Sequence, residues 1–182
     1  MAKARPQPWT VEEFLAFEAE EIERCELVDG VVHIMTGRSA GHSTIKSNLL
    51  ALLQAELCAG PSRVYIDLKV VTETAVMYPD VPVVCRQMAP DDDRVSNPTV
   101  VIEVLSPTTE THDRIRKWRQ YQTIASLRHF VLVAQSERRV EVYSRAATGW
   151  ALVTVEPPDD AIALEAVRAR LSLEAIYEDS GR

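Results

Sequence analysis

The sequence predicts a mixed α/β (α+β) domain, and three observations carry that prediction. β-branched runs separated by turn-forming residues fill the middle of the chain, a stretch from Ile45 to Leu57 repeats its apolar residues at helical spacing, and an Asp-Gly pair sits between two short apolar segments near the N-terminus. With 182 residues, 46% of them hydrophobic, the chain is long enough for one sizeable core and too short for two ordinary ones, so residues 1–182 are read as one domain.

Taken in order, Thr10-Val11-Glu12-Glu13 has the form of a capping box, a hydroxyl followed three residues on by a carboxylate, and predicts a short helix through Phe14, Leu15 and Phe17. Glu26-Leu27-Val28 and Val31-Val32-His33-Ile34-Met35 flank Asp29-Gly30 and predict an N-terminal β-hairpin, because Gly tolerates the positive φ of a tight turn. Ile45, Leu49, Leu52, Leu53 and Leu57 mark an amphipathic helix that Gly60-Pro61 stops. The period then changes. Val64 to Thr72, Met77 to Val84 and Thr99 to Leu105 read as strands, with the acidic loop Asp91-Asp92-Asp93 among the turns between them. Pro82 cannot donate to a ladder, so its run is expected to be an edge, a bulge or a strand that ends early. A second helix is expected from about Thr111 to Thr123, three strands at Phe130 to Val133, Val140 to Tyr143 and Trp150 to Val155, and a docking helix at Leu171 to Tyr177. No internal repeat, linker or low-complexity stretch interrupts this order. Hairpins mixed with two main helices imply a mixed central β-sheet flanked by helices.

Composition excludes several classes. A net charge of −7 argues against a surface that coats nucleic acid or anionic membrane as a whole, leaving a local basic site open. Charges break the apolar runs before the roughly 18 to 20 residues a bilayer span needs, so no membrane partner is expected. No apolar stretch follows the basic residues of the N-terminus, which argues against a secretory signal. Cys25, Cys58 and Cys85 form no CxxC pair, and reduced thiols in a cytoplasmic protein fit them. P-loop, GxGxxG, HExxH and EF-hand patterns are missing. Ser106 lacks the glycine pattern of a nucleophile elbow, and Ser106-Pro107 simply ends a strand.

Glu103 is the most informative residue, since Thr99-Val100-Val101-Ile102-Glu103-Val104-Leu105 has the composition of a strand buried on both faces. A carboxylate there needs a cation, a basic side chain or an opening to water; the alternative is the exposed face of a half-buried strand. Asp80, in Tyr78-Pro79-Asp80-Val81, lies inside another apolar run, although Pro-Asp by itself commonly marks a turn. Two strand carboxylates invite a divalent metal, because Mg²⁺ takes hard oxygen ligands and keeps several waters. Asp113, Lys117 and Tyr121, spaced by four, share one face of the second helix. They form either a surface ion pair worth a few tenths of a kcal/mol or, beside a metal site, a lysine that supports an attacking water. His42, at the start of the first long helix, caps it, contacts a phosphate at its positive end, or is simply solvated.

Together these residues resemble the Uma family of restriction endonucleases, a branch of the PD-(D/E)XK nuclease superfamily, over roughly Trp9 to Tyr177. The carriers are Glu26-Leu27-Val28-Asp29-Gly30, Tyr78-Pro79-Asp80-Val81, Val101-Ile102-Glu103-Val104-Leu105-Ser106-Pro107-Thr108-Thr109, and the sequel Asp113, Lys117 and Tyr121. The resemblance implies a restriction-endonuclease-like core and Mg²⁺-dependent hydrolysis of phosphodiester bonds in DNA, with Mn²⁺ as a substitute. It assigns Asp80 as the metal-binding aspartate and Glu103 as the second acid. Leu105 occupies the usual place of the third element, and the matching lysine is displaced to Lys117 on the following helix. The Val104 carbonyl and Glu26 are further metal ligands on this reading, and His42, Asp113 and Tyr121 support them. A homodimer would suit an enzyme that cuts both strands.

The charge is also unevenly spread. Residues 10–30 hold eight acids (Glu12, Glu13, Glu18, Glu20, Glu21, Glu23, Glu26 and Asp29) against Arg24, whereas residues 111–128 hold Arg114, Arg116, Lys117, Arg119 and Arg128 against Asp113. This predicts a polarised surface, with Arg114, Arg116 and Arg119 as DNA contacts near the metal site and the acidic N-terminal region turned away. Two rival classes share the same residues. One is a nucleic-acid- or protein-binding module without turnover. The other is a small-molecule hydrolase, which would leave the basic helix unused.

Overall fold

The computed structural model describes residues 2–3, 7–35, 37–107 and 110–182. Its elements in chain order are β1 (Ala2–Lys3), α1 (Val11–Glu18), β2 (Cys25–Val28), β3 (Val31–Ile34), α2 (Ala40–Leu57), β4 (Arg63–Val64), β5 (Lys69–Val71), β6 (Val76–Met77), β7 (Val81–Val84), β8 (Arg94–Val95) and β9 (Val100–Leu105). A π-helical turn, His112–Lys117, then runs into α3 (Trp118–Gln122). The chain continues with β10 (His129–Ala134), β11 (Val140–Arg145), β12 (Trp150–Val155), β13 (Ala161–Leu164), β14 (Ala169–Ser172) and α4 (Leu173–Ile176). One sheet has the order β1-β3-β2-β6-β5-β8, a second β12-β11-β10-β9-β7-β4, and β13-β14 pair alone. The second sheet is mixed. β9 and β10 run parallel, joined by the crossover through α3, and β7, β11 and β12 run antiparallel to their neighbours.

Local chemistry sets the predicted elements. Thr10 accepts from the Glu13 N–H while the Glu13 carboxylate accepts from the Thr10 N–H, closing the capping box of α1. Asp29 and Gly30 both take positive φ, 53° and 73°, which turns β2 into β3 with Val28 opposite Val31. Gly30 has a second constraint, because a Cβ there would lie 2.5 Å from the Pro8 Cβ.

The second sheet is covered on both faces. Ile45, Leu49, Leu53 and Leu57 of α2 pack with Val81, Val83, Val100, Ile102 and Val104 on one face. Tyr121, Ile124 and Leu127 pack with Val101, Leu105, Phe130 and Leu132 on the other. Each such side chain contributes about 1.5–3 kcal/mol relative to exposure. Alternation along β9 therefore turns Glu103 toward the α3 side.

Several expectations change. The run from Met77 to Val84 is not one strand: the chain leaves the first sheet after Met77, bends through residues 78–80 and enters the second at Val81. Composition could not show this, because both halves are equally apolar. Pro82 lies on an inner strand, between β4 and β9, and is neither an edge nor a bulge. Its carbonyl accepts from the Tyr65 N–H, but it has no N–H to return, so the β4 ladder ends at Val64. The expected docking helix is one turn, Leu173–Ile176, preceded by β14, and the β13-β14 hairpin was not foreseen. The three cysteines are free. No helix among the described residues is long and apolar enough to cross a membrane.

Candidate active site

The bend between the two sheets, the middle of β9, β2 and the π turn bring the candidate residues to one place. Asp80 sits on the bend and is 5% exposed. Its Oδ1 lies 3.0 Å from His42 Nε2 and 3.8 Å from Lys46 Nζ, and its Oδ2 accepts from the Val104 N–H at 2.9 Å. Ser39 caps α2, and its side chain accepts from the His42 N–H. The imidazole thus faces Asp80 rather than solvent, and its Nδ1 is buried without a hydrogen-bond partner. Burial alone would raise the Asp80 pKa, but His42, the Val104 N–H and Arg38 outweigh it and hold the carboxyl below its ordinary value.

Lys117 gathers the other three acids. Its Nζ lies 2.8 Å from Glu26 Oε1, 3.2 Å from Glu103 Oε1 and 3.2 Å from Asp113 Oδ1, with 1% of the side chain exposed. Tyr121 donates to the same Glu103 oxygen at 2.9 Å, and the Tyr78 N–H donates to Glu26 at 2.8 Å. Spacing by four therefore converges as expected, although the segment is a π turn, in which the Trp118 N–H donates back to the Asp113 carbonyl. π turns of this sort recur at functional sites.

These acids differ in charge state. Burial pushes Glu103 well above the ordinary carboxylate range, and repulsion from Asp113, Asp80 and Glu26 adds to it while Lys117 opposes. Glu26 moves the other way, to about 2: burial would raise it, but Lys117, His112 and the Tyr78 N–H outweigh burial. Burial would lower Lys117, yet Glu103, Glu26 and Asp113 hold it well above its usual value, so it is an ammonium at neutral pH. Three carboxylates on one ammonium leave surplus negative charge, which pushes the Glu103 carboxyl toward its protonated form.

The helix charges separate into two roles. Arg116 and Arg119 are exposed, whereas Arg114 places its fork on both oxygens of Glu141 at 2.6 and 3.0 Å and its Nε on Glu110 at 2.8 Å. Arg114 therefore ties the π turn to β11. The acidic N-terminal segment is not wholly turned away: Glu26 is inside the site, and Asp29 accepts from Gln120 of α3 at 2.8 Å. Only its outer members, among them Glu12, Glu20 and Glu23, face solvent.

Sequence reasoning missed three neighbours. Lys46 reaches Asp80 and Asp67; its signal was the four-residue spacing after His42. His112 lies 3.7 Å from Glu26, and its ring meets that of His33 at 4.5 Å. His33 is paired across the hairpin with Glu26, a register that the two-residue Asp29-Gly30 turn fixes. Among the described residues, no three His, Cys, Asp or Glu side chains are gathered round one point as a ready-made metal cage.

Comparison with known proteins agrees with this architecture. The chain is 31% identical over 173 residues to the uncharacterized protein slr1290 of Synechocystis sp., covering 91% of this chain and 90% of that one. It is 29% identical over 160 residues to the uncharacterized protein sll1609 of the same organism, covering 85% and 90%. Its fold resembles a crystal structure from Anabaena variabilis described as "a putative nuclease belonging to DUF820", with a TM-score of 0.75, 19% identity, and coverage of 93% of this chain and 98% of that one. A family model described as "Putative restriction endonuclease" matches residues 11–175, and the chain belongs to that family, Uma2.

Proposed function

We propose that this protein is a divalent-metal-dependent endonuclease that hydrolyses phosphodiester bonds in DNA, with residues 1–182 acting as one domain. One observation carries the reading: Glu26, Glu103 and Asp113 share a single ammonium in a buried site beside Asp80. Surplus charge among hard oxygen donors fits Mg²⁺, or Mn²⁺ in its place, better than a soft metal. Asp80, Glu103 and the Val104 carbonyl would hold the ion, with Glu26 next to them. The Val104 N–H points at Asp80, and a strand residue turns its C=O to the same edge as its N–H, which gives that carbonyl the right direction. When bound, the ion supplies Lewis-acid polarisation of the phosphate and lowers the pKa of water.

The chain's own residues do the rest. His42 fixes the Asp80 carboxylate. Lys117, held as an ammonium, orients the attacking water and stabilises charge that builds on the phosphate, rather than taking a proton. Asp113 and Tyr121 keep Lys117 and Glu103 in register. Arg116 and Arg119 contact the DNA backbone, giving salt-sensitive affinity.

Plasmid nicking tests the proposal. Wild type should cut supercoiled DNA only with Mg²⁺ or Mn²⁺, and Glu103→Gln and Lys117→Met should lose at least about 100-fold in rate. Equal cleavage by all three proteins would overturn the assignment. Metal-independent, salt-sensitive binding without cleavage would make the protein a binding module instead.

A further inference from the structure

We propose that the open edge of β12 is a homodimer interface, at which a second copy of this chain adds its own β12 antiparallel and joins two six-stranded sheets into one. In the two large sheets the other outer strands, β1, β4 and β8, have two residues each, too short to template a partner. β12 has six.

The phase of its hydrogen bonds follows from two contacts. The Ala146 N–H donates to the Gly149 carbonyl, and the Arg145 N–H turns away to the Arg128 carbonyl on the far side of β11. Arg145 lies opposite Trp150, and Ser144 opposite Ala151. Ala151, Val153 and Val155 therefore exchange bonds with β11, whereas Trp150, Leu152 and Thr154 turn their N–H and C=O groups outward. The pairing with β11 is unbroken over all of β12, so no bulge twists this edge aside. Leu152 and Val153, on opposite faces, are 51% and 57% exposed.

Charge selects a second copy as the occupant. A two-fold interface sets the residue on the axis against its own counterpart and the others within a few positions of theirs, so a charge close to the axis repels itself. From Ala146 to Val155 there is no charged residue, in a chain in which 26% of residues are charged. Neither the lysine nor the proline that commonly guards a solitary edge occurs in β12. A two-fold axis through Leu152 places Leu152 against the partner's Leu152 and Trp150 against the partner's Thr154. All outward N–H and C=O groups are then used, and apolar contact forms on both faces.

Sedimentation of the full chain over micromolar to hundred-micromolar concentrations tests this. Wild type is expected to be a dimer, and Leu152→Lys and Leu152→Pro to raise the dimer Kd at least a hundredfold while near-UV dichroism stays unchanged. The proline variant is discriminating, because the Leu152 N–H points away from β11 and no bond of that ladder is lost with it. Ile22→Lys, a change at a fully exposed residue far from this edge in sequence, should remain dimeric. In a Cys58→Ser, Cys85→Ser background, Leu152→Cys should oxidise to a covalent dimer, since a hydrogen-bonded antiparallel pair sets Cα atoms about 5.5 Å apart, within disulfide range. A monomeric wild type, association beyond the dimer, persistence of the dimer in both Leu152 variants, or failure of the cysteine variant to cross-link would each overturn the proposal.

Discussion

The two halves of the site hold carboxylates in opposite ways. On the α2 side, Asp80 faces His42, Lys46 and a backbone N–H, and its charge is matched. On the α3 side, Lys117 faces three acids and cannot match them, so Glu103 is driven toward its protonated form. On the proposed reading the first half would hold a metal ligand in place. The second leaves a deficit of positive charge that a cation can fill in exchange for a proton.

The sharpest way to break this contrast is to remove its pivot. Lys117→Met leaves Glu26, Glu103 and Asp113 buried without their ammonium. It should destabilise the fold by about 3–5 kcal/mol, read by urea titration, and slow cleavage roughly 10²–10⁴-fold in single-turnover assays. His42→Ala acts on the matched half, leaves Lys117 untouched and should weaken metal affinity or cleavage by about 10–100-fold. A drop as deep as that of Lys117→Met would mean that the halves do not differ as argued.

Glu103→Gln sharpens the contrast through pH. The folded pKa of Glu103 lies above its unfolded value, so the native state binds more protons in that window and stability falls as pH rises through it. Without added metal, the Gln variant should lack this decline and unfold at higher temperature than wild type at pH 8; an identical pH profile would refute the shift. The smallest effect is expected at His33. Burial, with His112 and Arg116 nearby, lowers its pKa from 6.5 to about 4. The unfolded state then binds more protons between those values, and stability is lost as pH falls from 6.5 toward 4. His33→Phe should flatten that part of a pH-dependent melting curve.

Much of this was legible in the sequence where one short-range rule decides the outcome. The Thr10 box, the Asp29-Gly30 turn, the α2 stripe and the doubly buried β9 all follow from spacing and residue type. Glu103 was informative for the same reason, since an acid in such a strand must find partners. What stayed hidden was set by contacts distant in sequence. Apolar composition cannot say that the chain changes sheets at residues 78–80, and that change is what presents Asp80. Spacing by four fits both an α and a π turn, so it brought Asp113 to Lys117 without revealing the wider turn. The charge count placed Glu26 with its acidic neighbours; only the family resemblance set it in the site, and its ion pair with Lys117 is a contact that spacing along the chain does not give.

On the proposed reading the site's surplus charge is a place for one divalent cation. Calorimetric titration of Mn²⁺ into the protein in two buffers of different ionisation enthalpy tests it most directly. Binding of one ion is predicted, with proton release from Glu103 that makes the heat depend on buffer, and with loss of binding in Asp80→Asn and Glu103→Gln. Binding that is unchanged in both variants, or no binding to wild type, would show that Asp80 and Glu103 do not hold a metal ion.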